Sequence, residues 1–106
     1  MYEKPDKMAA NHAFAIAMEG KCPDRKLADA YKTSVTIACA EKYLQKNWVM
    51  QIHFGCLRNV NKPQFGLLGP DTGYDAVNSR SGVESLAPLL NACLENGGPD
   101  TFLPLL

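Results

Sequence analysis

Along this chain the spacing of apolar positions shifts from the 3.6-residue period of a helix to the alternation of a strand, and then back. From about Lys7 to Glu19 alanine and methionine dominate, and Met8, Asn11/His12, Ala15 and Met18/Glu19 recur at helical spacing. Gly20 is placed to stop that helix. Cys22-Pro23-Asp24 reads as a connector, with Pro23 suited to a first helical turn and Asp24 to its positive end. A second helix is predicted over Asp24–Lys46, where Leu27, Tyr31, Ser34/Val35, Ala38 and Tyr43/Leu44 draw an apolar stripe. That stripe is expected to cover a sheet, and it calls for no chemistry.

A strand follows almost at once, over Trp48–Phe54, apolar except for Gln51 and His53. Alternation puts Val49, Gln51 and His53 on one face and Met50, Ile52 and Phe54 on the other. Its near-continuous apolar character predicts burial on both faces, as in a parallel strand covered by helices. Gly55 to about Ser79 then reads as one loop of about 25 residues, well beyond the roughly 2–6 usual after such a strand. Leu57, Phe65, Leu67, Leu68, Tyr74 and Val77 let it fold back on itself, and Gly69–Gly73 marks a tight turn. A last helix is expected from Ser81, whose Ser81-Gly82-Val83-Glu84 has the form of a capping box. Pro88 instead favours a start nearer Ser85. Val83, Leu86, Leu90 and Cys93/Leu94 make its apolar face, and Gly97-Gly98 end it. Pro99–Leu103 reads as the lead-in to a second strand, in which Pro104 removes a ladder donor.

Composition narrows the function classes. Hydrophobic residues make up 46% of the 106 and charged residues 21%, as in a chain that forms a core. Eleven basic and eleven acidic residues balance, so nothing points to nucleic acid or a membrane surface. No apolar run approaches the ~18 residues of a membrane span, and MYEKPDKMAANHAF carries no secretory pattern. Cys22, Cys39, Cys56 and Cys93 form no CxxC pair, which fits reduced thiols in a cytoplasmic protein.

The candidate chemistry gathers around the strand's end. His53 stands near the C-terminal end of that strand, two residues before Gly55, the place where barrel enzymes present catalytic side chains; the alternative is a structural histidine bonded to backbone. Arg58 offers a planar fork for a carboxylate, or is an ordinary surface arginine. Asp71 and Asp75 join the same loop, where turn capping is the competing role.

The words MQIHFG, LRN and LGPDTGYD, in this order between Met50 and Asp75, resemble the fifth barrel strand and following loop of uronate (glucuronate) isomerases, in the amidohydrolase superfamily. The likeness extends more weakly from about Ala13 to Leu103. It implies an α/β fold: a slice of a (β/α)8 TIM-type barrel, ordered helix, helix, strand, long loop, helix, with one or two parallel-type strands. A complete barrel takes eight strands and about 250 residues, so residues 1–106 are expected to be a single partial domain, a fragment of a larger enzyme.

By the same resemblance, the whole enzyme interconverts D-glucuronate or D-galacturonate with fructuronate or tagaturonate. It uses a divalent metal, typically zinc, held by an HxH pair and a distant Asp. This sequence has neither motif, its histidines being His12 and His53 alone. The resemblance therefore implies no metal ligand here, with His53 a catalytic, metal-proximal contact and Arg58, Asp71 and Asp75 substrate-binding. It also implies no cofactor and no activity for the fragment alone. The partner expected is a small sugar acid, and homo-oligomerisation stays open. The alternatives are a non-catalytic uronate-binding module and a structural, oligomerising remnant of the barrel.

Overall fold

The computed structural model describes residues 2–78, 82–98 and 102–105. The elements run α1 (Lys7–Met18), α2 (Arg25–Gln45), β1 (Met50–His53), β2 (Cys56–Leu57), α3 (Lys62–Leu68), β3 (Ala76–Val77), α4 (Val83–Glu95) and β4 (Phe102–Leu105). They divide into two compact units, residues 1–50 with 83–102 and residues 51–82 with 103–106. Helices dominate the chain, and the strands form two small sheets, β1 with β4 and β2 with β3.

The first unit is built from the helices. Asp6 caps α1 by accepting from the Met8 and Ala9 amides, and Asp24 caps α2 by accepting from Leu27. α1 packs on α2, and α2 on α4. The face that each buries is not the one its larger apolar residues suggest. On α1 the buried residues are Ala10 and Ala13, while Met8 and Met18 are exposed. On α2 they are Asp29, Ala30, Thr33, Ile37 and Ala40, while Tyr31, Val35 and Leu44 are exposed. Alanines let helix backbones approach closely, and the Thr33 hydroxyl accepts from the Glu3 amide of the N-terminal segment at 3.3 Å. Phe14 and Tyr31 stack, ring centroids 6.1 Å apart. Asp29 is taken inside with cations at its mouth, Lys32 Nζ at 3.4 Å and Arg25 Nε at 3.8 Å.

Helices α1, α2 and α4 end alike. In each, a left-handed residue (Gly20, Asn47, Gly97) follows the last turn, and the next amide bonds back five residues: Lys21 to Ile16, Trp48 to Tyr43, Gly98 to Cys93. This is the Schellman arrangement, which satisfies carbonyls the helix leaves over. Helix α4 begins at Val83 and keeps Pro88 inside it, sacrificing the bond to the Glu84 carbonyl. Ser81 and Pro99–Thr101 lie outside the described residues.

Strand β1 corrects one expectation and meets another. It is shorter than Trp48–Phe54, because Trp48 is used in closing α2. The alternation holds: Met50 is buried and Ile52 and Phe54 half-buried, whereas Val49, Gln51 and His53 are exposed. Burial on both faces does not occur. A two-stranded sheet leaves a face open unless another layer covers it, and Gln51 and His53 lie on the open one. Strand β4 runs through Pro104.

The stretch expected to be one long loop is structured. It holds β2, α3 and β3, and β2 pairs with β3 antiparallel, Cys56 opposite Val77 and Leu57 opposite Ala76. The expectation of one or two parallel-type strands omitted this pair. Helix α3 is short, capped by the Asn61 side chain, with Pro63 in its first turn.

Candidate functional site

All four candidate side chains belong to the second unit. Gly55, at φ 76°, turns the chain from the end of β1, one residue past Phe54, into β2. The excursion from Gly55 to Asn78 is fastened at its base by the β2–β3 ladder. On one side of the ladder the Asn78 amide donates to the Gly55 carbonyl at 2.7 Å, and on the other the Val60 amide donates to Tyr74 at 2.9 Å.

Continuing that register by one residue sets Arg58 opposite Asp75, as a cross-strand ion pair. Arg58 Nη1 donates to Asp75 Oδ2 at 2.9 Å. The other oxygen of Asp75, Oδ1, accepts from the Asn59 amide, also at 2.9 Å. Asn59 itself is left-handed, at φ 56°. Asp75 is only 20% exposed. Asp71 comes to Arg58 Nη1 from the Gly69–Gly73 turn at 3.8 Å and is 82% exposed. That turn has three left-handed residues, Gly69, Asp71 and Gly73.

His53, Phe54, Gly55, Cys56, Arg58 and Asp75 line one open cleft of about 450 Å³. The residues singled out in the sequence are thus brought together: His53, Arg58 and Asp75 line the cleft, and Asp71 reaches it through Arg58. Cys56 is an addition that the sequence did not single out; its position on β2 follows only from the ladder. His12 is exposed on α1, in the first unit.

Chemically the cleft offers an imidazole and a guanidinium. The guanidinium has five N–H donors, and among the described residues only those of Nη1 meet a carboxylate. The divalent metal implied by the resemblance finds no donor set here. Among the described residues no three His, Cys, Asp or Glu side chains converge on a point a metal ion could take.

A family model for glucuronate isomerase matches residues 1–101. The chain belongs to that family. The match starts at the first residue, earlier than Ala13, where the motifs had suggested the likeness begins. The uronate isomerase of Caldanaerobacter subterraneus subsp. tengcongensis is 36% identical over 103 residues, covering 96% of this chain and 22% of the relative. That of Serratia proteamaculans is 34% identical over 104 residues, covering 97% and 22%. A crystal structure of uronate isomerase from Thermotoga maritima superposes with a TM-score of 0.72 at 28% identity, over 85% of this chain and 20% of that one. The chain thus spans 22% of the length of these relatives. No described helix is long and apolar enough to cross a membrane.

Proposed function

We propose that this glucuronate isomerase family chain is a segment of a uronate isomerase, the part of a (β/α)8 barrel around its fifth strand. In this reading Arg58 receives the carboxylate of a hexuronate, and His53 faces the reacting end of the sugar. The observation that carries it is the convergence of His53 and Arg58 on one cleft, in a chain whose family match runs from residue 1 to 101. A guanidinium fork matches a carboxylate in shape and charge. The cleft, at about 450 Å³, is of a size for a small ligand. Isomerisation moves a hydrogen between adjacent carbons and needs an acid/base group and a partner for the developing oxyanion. His53 supplies the imidazole of the cleft, the side-chain type most often used as a general acid or base.

The 106-residue chain by itself is expected to show no turnover of glucuronate, because the HxH pair and distant Asp that the resemblance assigns to the metal have no counterpart in it. Turnover by the purified chain would overturn that. Binding is the sharper test. Glucuronate, titrated calorimetrically against glucose as the uncharged control, should bind weakly to the chain. Arg58→Ala should weaken binding by about tenfold or more, the value of one good charge-assisted contact. Equal binding of glucuronate and glucose would remove Arg58 from the carboxylate role.

A further inference from the structure

The two aspartates of the site are not equivalent, and their difference suggests how Arg58 is kept ready. Asp75 is half-buried, holds Arg58 at 2.9 Å, and spends its second oxygen on the Asn59 amide. Both oxygens are committed inside the protein, and the ladder beside Asp75 fixes where it stands. Asp71 is almost fully exposed and stands 3.8 Å from the same Nη1, beyond good hydrogen-bonding distance. Exposed pairs of this kind contribute little, about 0–1 kcal/mol.

We infer that Asp75 is a positioning residue that locks the Arg58 guanidinium at the cleft, and that Asp71 is a displaceable counter-ion occupying the place of a ligand carboxylate. The inference rests on the carboxylate reading of Arg58 given above, and it assigns neither aspartate to direct substrate contact. Before a sugar acid arrives, Asp71 partly neutralises the exposed side of the guanidinium. The incoming carboxylate takes over that charge, and Asp71, already exposed on its glycine-flanked turn, gives up the contact. Asp75 stays, because removing it would leave the Asn59 amide without its acceptor.

The test is glucuronate titration of the full chain, with glucose as control, in wild type and the variants Asp71→Asn, Asp75→Asn and Arg58→Ala. It is joined by NMR of the Arg58 side-chain N–H groups in the free chain. Asp71→Asn should tighten glucuronate binding by about threefold, since a weak competing pair is lost. Asp75→Asn should weaken it by about tenfold and release the Arg58 N–H signals into fast solvent exchange. Asp71→Asn should leave those signals unchanged. Asp71, being exposed, tolerates substitution without loss of fold, so its gain of affinity stands as evidence even if Asp75→Asn unfolds. If wild type does not bind glucuronate, or Arg58→Ala binds it as well as wild type does, the carboxylate reading falls and this inference with it. If Arg58→Ala loses binding while Asp71→Asn also weakens it, or Asp75→Asn leaves both binding and the Arg58 signals as they were, the carboxylate reading stands and the division between the aspartates is overturned.

Discussion

Asp29 is a buried carboxylate on α2, 6% exposed, with Lys32 and Arg25 at its mouth. Burial acts to raise its pKa; neighbouring positive charge, Lys32 included, outweighs it, and the net shift is downward from 3.8. A carboxyl whose folded pKa is depressed adds stability above its unfolded pKa, and that contribution disappears as pH falls through the folded value. The chain should therefore lose stability as pH drops below about 4. Asp29→Asn should lower stability at pH 7 by about 1 kcal/mol and flatten the acid limb. Urea midpoints at several pH values check this, and an unchanged acid limb in the variant would count against it. At the site, the placement of His53 was legible, because alternation along an apolar strand puts it beside Gln51 on one face. The Arg58–Asp75 pair was not, since it depends on a two-residue ladder closed across an excursion whose register the residue pattern leaves undetermined.

The bounds of α1 and α2 came through well, because alanine-rich and amphipathic runs with Asp caps leave little freedom in where a helix begins and ends. Helix α4 starts at Val83, between the two starts the sequence offered, and keeps Pro88 beyond its first turn. The buried faces did not come through. A search for the largest apolar residues chose Tyr31 and Leu44 on α2, whereas close packing selected Ala30, Thr33, Ile37 and Ala40. Helix α3 was missed although its signals are present, Asn61 as cap and Pro63 in the first turn; its seven residues are too few to show a period. The end of α4 illustrates how tightly the small residues are used. A Cβ on Gly98 would stand 2.7 Å from the Cys93 carbonyl oxygen and 3.2 Å from the Ala40 Cβ. Gly98→Ala should therefore destabilise the first unit by about 1–3 kcal/mol. Its thermal midpoint should fall accordingly, and an unchanged midpoint would mean that α4 ends otherwise than described.

For the molecule as a whole, the family was readable from three short words between Met50 and Asp75. Burial of β1 was misjudged for a physical reason: apolar composition does not distinguish a strand covered on both faces from one in a two-stranded sheet with an open face. The same holds elsewhere. Val77 is 87% exposed, Leu67 78% and Trp48 63%. Apolar surface of this kind favours association, so the isolated chain should sediment with a weight-average mass that rises with concentration. A monomeric boundary across the whole range would contradict that expectation. The base of the excursion has a different consequence. His53, Arg58 and Asp75 stand at or below the Val60–Tyr74 bond, while α3 and Asp71 lie beyond it. The part beyond should therefore tolerate changes of length and sequence, at the cost of the Asp71 contact, with the ladder still holding Arg58 opposite Asp75.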